Sequence, residues 1–252
     1  MDKSSLGDRM KKYEELYCQK LMPRLPVYAR LDGRCFSKFT QGFKRPYDSN
    51  MVMVMRSVTI YLMEEFHCNL GYTQSDEISL VWLNDSLKGE FLFDSKTSKL
   101  NSTLASTASV KFCVAGLEFW PGKCRHQIPT FDCRIMSMPD LNECANAIVW
   151  REMDATRNSI VTLSRSLYSN KELQNRSCDD MQDMIHDKGD NWNDYPDYFK
   201  KGSFYGRKPV EINTRNGSAT RNKIVELEIP PLTKIENKVG VLFHNEEVIY
   251  KK

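Results

Sequence analysis

The sequence predicts an α+β fold: a split βαββαβ unit whose antiparallel sheet carries helices on one face, followed by a small C-terminal appendage. Three observations lead there. Short strand-like runs of alternating polarity occur at 27–32 and 131–139, two stretches of helical period lie between them, and a strand-rich run at 71–82 is broken once near its middle. In chain order these give strand, helix, hairpin, helix, strand.

Residues 1–17 put Leu6, Met10, Tyr13 and Tyr17 at helical spacing. In VYARLD (27–32) Val27, Ala29 and Leu31 face one way and Tyr28, Arg30 and Asp32 the other, and the run stops at Asp32-Gly33, where a turn is cheap. Asp48-Ser49-Asn50 supplies an N-cap for the helix that follows, whose Met51, Val54, Met55, Val58 and Leu62 share a face that can pack on the sheet. GYTQSDEISLVW (71–82) reads as a hairpin turning at Ser75-Asp76-Glu77, closed by Asn84-Asp85. Residues 97–113 space Leu100, Leu104, Ala108 and Phe112 four apart, a second helix. The strand at 131–139 and a long helix over 141–168, kinked or divided, complete the unit. After Asn170 the chain changes to polar helical pieces and then to basic hairpin-like segments around Gly202, Gly206 and Gly217, so the expected division is 1–170 and 171–252.

With 252 residues, 40% of them hydrophobic and 27% charged, the chain can bury a large core and lacks a disordered composition. No apolar run approaches the roughly 20 residues needed to span a bilayer, and the charged, amphipathic start is unlike a signal peptide. A cytoplasmic protein that does not engage membranes is expected. The eight cysteines form no Cys-x-x-Cys pair and no familiar ligand spacing, which fits reduced, mostly buried thiols rather than a zinc site or a disulfide framework. A formal net charge of +3 does not by itself mark a nucleic-acid binder. Its distribution is uneven: 179–197 hold seven Asp and 200–223 are rich in Lys and Arg, although each run also reads as a solvated surface.

The hairpin poses the functional question. Neighbouring strand residues face opposite sides, so one of the adjacent carboxylates Asp76 and Glu77 would enter an apolar face, and an unpaired buried charge is expensive. A turn removes the steric objection; a bound cation also explains the choice of acids. In the split βαββαβ topology the first strand lies beside the hairpin, so Asp32 can approach Asp76, and with a Gly33 carbonyl they offer the hard oxygen ligands that Mg²⁺ prefers. Two such ions can activate an attacking oxygen and stabilise a leaving one in phosphoryl or nucleotidyl transfer. Each motif alone is more often a plain turn. Together, both interrupting sheet-forming sequence, they point to catalysis.

RLDGRCF (30–36), RPYDS (45–49), GYTQSDEISLV (71–81), SKLNSTLAS (98–106), FDCR (131–134) and WREMDATRNSI (150–160) resemble, in order and spacing, the successive motifs of the tRNA-His guanylyltransferase family. The resemblance implies a palm domain like that of polymerases and nucleotidyl cyclases, working in the reverse, 3′-to-5′ direction: the 3′-hydroxyl of an incoming nucleoside triphosphate attacks an activated 5′ phosphate of tRNA. It implies tRNA, ATP and GTP as substrates, Mg²⁺ as cofactor and a homotetramer as the assembly. Asp32, Asp76 and the Gly33 carbonyl become the metal ligands, Glu77 an essential neighbour or additional ligand, Ser75 a triphosphate contact, and Lys44 and Asp48 neighbours of the activating nucleotide. Lys96 and Lys99 fall at phosphate-binding positions, though Lys44, Lys96 and Lys99 all read equally as surface lysines. Lys201, in FKKGS, is a weaker match to the Lys of a C-terminal Tyr-Arg-Lys-Gly-Thr motif. With Arg207 and Asn158 it is assigned to tRNA or triphosphate contact.

One position departs from the pattern. Where guanylyltransferases read His-Ile-Asn-Asn after Trp-Arg-x-x-Asp-x, this chain has Thr156-Arg157-Asn158-Ser159, so no imidazole stands there. That form resembles the guanylyltransferase-like proteins of bacteria and some other organisms, which restore missing 5′ nucleotides of truncated tRNAs by templated addition. The expectation shifts from one extra guanosine on tRNA-His to templated repair. A non-catalytic RNA-binding palm and a cyclase are the competing classes. Unpaired carboxylates facing RNA phosphates serve no binding module, and a cyclase needs no tRNA platform.

Overall fold

The computed structural model describes residues 4–85, 91–214 and 217–251. Helix α1 (Ser5–Glu15) buries no side chain, so the predicted apolar face of Leu6, Met10 and Tyr13 stays exposed. Strand β1 (Val27–Arg34) starts the sheet, and the short α2 (Phe36–Phe39) turns the chain away directly after it. Gly33 permits that tight corner, because a Cβ there would meet the Phe36 ring at 2.5 Å. Helix α3 (Ser49–Glu65) begins where Asp48 accepts the amides of Asn50 and Met51, a cap worth about 1 kcal/mol. Its Met51, Val54, Met55, Val58 and Leu62 are all buried, as their period predicts.

Strands β2 (Leu70–Gln74) and β3 (Glu77–Trp82) form the hairpin; α4 (Thr97–Gly116), the short α5 (Pro121–His126) and β4 (Thr130–Ser137) follow. Leu100, Leu104, Ala108 and Phe112 are the buried side of α4, each large one contributing about 1.5–3 kcal/mol by leaving water. The order β4-β1-β3-β2 puts β1 and β3 in the middle of the unit, antiparallel, with Asp32 opposite Glu77.

Helix α6 (Leu141–Leu167) runs unbroken, neither kinked nor divided, since its sequence contains no Gly or Pro. It corrects one expectation. Ala29, Leu31, Ile78 and Leu80 pack with α3 and α4, whereas Tyr28, Leu70, Tyr72 and Val81 pack with Cys144, Ala145 and Ile148 of α6. Helices therefore cover both faces of the α+β sheet rather than one. The hairpin strands agree: β2 and β3 are buried at every position, the mark of strands covered on both sides.

Residues 171–252 do not stand apart as an appendage. Helix α7 (Cys178–Asp187) packs Met181 and Ile185 on Ile160 and Leu163 of α6. After α8 (Asp197–Lys200), strand β5 (Ser203–Thr214) pairs with β2 and, with β6 (Gly217–Leu227), extends the sheet to β4-β1-β3-β2-β5-β6. Residues from Ile229 through α9 (Lys238–Phe243) then close over the α6 face. Gly202, at φ 84°, makes the corner into β5, where a Cβ would lie 2.7 Å from the Thr73 carbonyl oxygen.

A buried acid joins α6 to this last segment. One oxygen of Glu152 accepts the Leu232 amide at 2.8 Å, and the other is buried with no hydrogen-bond partner among the described residues. Burial, only partly countered by that amide and by the Lys201 ammonium, pushes the Glu152 carboxyl up to about 7 from 4.5. The unfolded chain releases the proton first, so folding loses stability as pH rises through this interval and levels off above it. Glu152→Gln cannot ionise. Its stability relative to the parent should therefore grow from pH 4.5 to pH 7, by on the order of 3 kcal/mol. Thermal melts of both proteins across the range check this, and a difference independent of pH would refute it.

Candidate active site

The hairpin turns through two residues, not three. Gln74 pairs with Glu77, which leaves Ser75, at φ 49°, and Asp76 as the loop. The Thr73 hydroxyl closes it by donating to the Glu77 carbonyl at 2.9 Å. Asp76 thus lies at the rim, while Glu77 is already inside the sheet. The Gly33 amide donates to the Asp76 carbonyl at 3.0 Å, which ties the end of β1 to the turn. Burial raises the Asp76 carboxyl above its ordinary value; the Ser75 hydroxyl, donating at 3.0 Å, works against this, and the charge of Asp32 adds to it. Desolvation and mutual repulsion of carboxylates are what a bound cation relieves.

The donor set fits Mg²⁺. Among the described residues no three Asp, Glu, His or Cys side chains converge into a closed metal site, and two carboxylates with a backbone oxygen are too few for structural zinc. They suit Mg²⁺, which is commonly held by one or two carboxylates and completes its shell with water and substrate phosphates.

Glu77 is not the rim carboxylate that the sequence suggested. Its side chain is 5% exposed and accepts from Arg151 Nε at 2.6 Å, while Arg151 Nη2 donates to Asp154 at 2.9 Å. Asp154 also accepts from Arg157 and, at 3.3 Å, from Asn158. Burial sets the Glu77 carboxyl above its usual range against the pull of Arg151. Burial likewise works against the charge of Arg151, but Glu77 and Asp154 outweigh it. Sequence reasoning passed over Arg151 and Asp154, although 151, 154 and 158 share one helix face and signal a linked set.

Beside Ser75, between the start of α3 and the middle of α6, lies a cavity of about 190 Å³. Lys44, Asp48, Ser75 and Asn158 all line it, so the fold gathers four of the predicted residues there. Tyr47, Tyr198 and Phe199 form an aromatic wall, with the Tyr47 centroid 5.5 Å and 5.1 Å from the other two, suited to a flat heterocycle. The Asp48 carboxylate is engaged by the amides of Lys44, Asn50 and Met51, so it shapes the loop that carries Lys44.

Four predicted cations do not reach this place. Lys96 and Lys99 sit at the beginning of α4, which a bridge to Lys20 ties to the chain leading into the far end of β1; the later Ser109 is the α4 residue that bonds Phe131, opposite Gly33. Lys201 reaches Asp197 at 3.1 Å and the Ile229 carbonyl, and its side chain is 11% exposed. Arg207 donates to the Cys68 and Met63 carbonyls at 2.8 and 2.7 Å. Both satisfy main-chain oxygens within the fold.

The family model described as Thg1, tRNAHis guanylyltransferase, matches residues 7–139. A bacterial tRNA(His) guanylyltransferase (Thg1)-like protein solved in complex with ATP superposes with TM-score 0.82 at 33% identity, covering 96% of this chain and 100% of the other. One in complex with GTP gives 0.75 and 32%, covering 92% and 95%. The tRNA(His) guanylyltransferase of Schizosaccharomyces pombe is 28% identical over 222 residues, 80% of each chain.

The ion pair yields a stability test. Arg151→Met strands a buried carboxylate and should destabilise the fold by about 3–5 kcal/mol, whereas adding Glu77→Gln should recover much of the loss. Urea unfolding of both variants decides it. Equal losses would mean that the pair does not join α6 to the hairpin.

Proposed function

This chain belongs to the tRNA-His guanylyltransferase (Thg1) family, and on that premise we propose that it repairs 5′-truncated tRNAs by templated nucleotide addition. It is a nucleotidyltransferase that extends tRNA in the 3′-to-5′ direction. Thr156 carries the finer reading. Its hydroxyl donates to the Glu152 carbonyl at 3.0 Å, one turn back along α6, so the position that holds His in guanylyltransferases has no imidazole and its one donor is turned onto the helix. The choice of nucleotide is then left to pairing with the 3′ half of the acceptor stem.

Phosphoryl transfer asks mainly for positioning and charge neutralisation. In this reading the nucleoside triphosphate, ATP or GTP, lies in the cavity with its heterocycle against Tyr47, Tyr198 and Phe199, and Lys44 and Ser75 meet its phosphates. Asp32, Asp76 and the Gly33 carbonyl would hold Mg²⁺. Bound there, Mg²⁺ would supply a lowered pKa for the 3′-hydroxyl and neutralise charge on the leaving pyrophosphate. Glu77, engaged by Arg151, supports the hairpin from inside the sheet. A homotetramer with tRNA across its subunits belongs to the same reading. Because the apolar side of α6 is used within the chain, the exposed face of α1 is the better surface for contact between copies.

Given Mg²⁺ and labelled nucleotides, a 5′-triphosphorylated tRNA lacking its first nucleotide should gain the complementary one and stop at full length, while full-length tRNA-His gains nothing. Asp76→Ala should slow extension by about a hundredfold or more. Guanosine addition to tRNA-His alone would sink the repair reading and restore tRNA-His guanylylation.

A further inference from the structure

Across the sheet, the carboxylates stand between two openings. On the β2 side is the cavity beside Ser75. On the β4 side a groove of about 430 Å³ runs between α6 and the open part of β1 and β4, lined by Arg30, Arg134, Met136, Glu143 and Trp150. We propose that this groove holds the unpaired 3′ strand of a truncated tRNA end, its bases stacked on Trp150 and Arg30 and its phosphates paired with Arg30 and Arg134. The proposal rests on the repair reading above.

Register places the groove. Arg30 and Arg134 lie directly opposite each other on neighbouring strands, and Arg30 is two residues from Asp32 on the same face, about 7 Å away. Like charges in that arrangement repel and favour an anion between them. Asp132 answers Arg134 only through an exposed 3.4 Å contact. Glu143, nearer the start of α6, accepts a hydrogen bond from Asn146.

The floor is apolar and open. Trp150 is 55% exposed and Met136 42%, while the guanidinium carbons of Arg30 and Arg151 lie 5.4 and 4.5 Å from the indole centroid. A half-exposed indole with guanidinium groups beside its ring offers a stacking platform for bases, and a nucleic-acid strand brings phosphates to the two facing arginines. An apolar protein segment would satisfy the floor and leave the arginines facing each other. Since β4 is an edge strand of the described sheet, no further strand of it closes that side of the groove.

The test is equilibrium binding, without nucleotide, of a fluorescent tRNA lacking its first nucleotide. Trp150→Ala should weaken it about tenfold or more, and Trp150→Phe should stay within about threefold of the parent. Arg134→Gln should reduce the slope of log affinity against log salt by about one. Affinity for ATP, measured in parallel, should not move. Unchanged binding by Trp150→Ala, or equal losses in the Ala and Phe variants, overturns the proposal. So does a fall in assembly mass on light scattering of Trp150→Ala, which would make the groove a contact between copies. A parent protein that binds the truncated tRNA through Trp150 yet fails to extend it keeps the groove and loses the repair reading.

Discussion

The buried pair of Arg151 and Glu77 is the constraint on which the site depends. Each charge, taken alone, would cost several kcal/mol to remove from water, so neither can occupy its place without the other. The pair also fixes register. A one-residue slip of β3 against β1 would turn Glu77 into the α3 and α4 core, away from Arg151, and would carry Asp76 off the rim where it meets Asp32. Through Asp154 the same guanidinium orients Asn158 on the wall of the cavity beside Ser75. One interaction therefore aligns the carboxylates, the hairpin and the helix that faces them.

Much of the fold was legible because its signals are local. The spacing of Leu100, Leu104, Ala108 and Phe112 announces a helix whatever surrounds it, and alternation in VYARLD announces a strand. What failed to show depended on distant partners. Glu77 looked like a turn residue because a two-residue and a three-residue loop differ only in the register of the paired strands. Lys201 and Arg207 looked available because their acceptors, the carbonyls of Ile229, Cys68 and Met63, are ordinary backbone. The side of the sheet taken by α6 was hidden for the same reason, although the unbroken burial of β2 and β3 had required a second cover.

Charge was the least transferable clue. The net charge of +3 counts cations that are committed inside the chain, such as Arg151 and Lys201, together with those that face outward. The surface relevant to a polyanion is better read from where guanidinium groups of neighbouring strands face each other with at most an exposed carboxylate to answer them, as Arg30 and Arg134 do. Uneven patterning, rather than total charge, is thus the informative quantity.

The pairing of β2 with β5 has a consequence for synthesis. Leu70 lies against Gly206, so β2, buried throughout in the finished protein, has no outer neighbour until most of the polypeptide has left the ribosome. Until then the βαββαβ unit carries an apolar strand edge with unsatisfied main-chain groups, a template for pairing with other nascent chains. How long that edge stays open is set by the 128 residues (75–202) that separate β2 from its partner β5, a contact of high sequence separation and therefore among the slower ones to form.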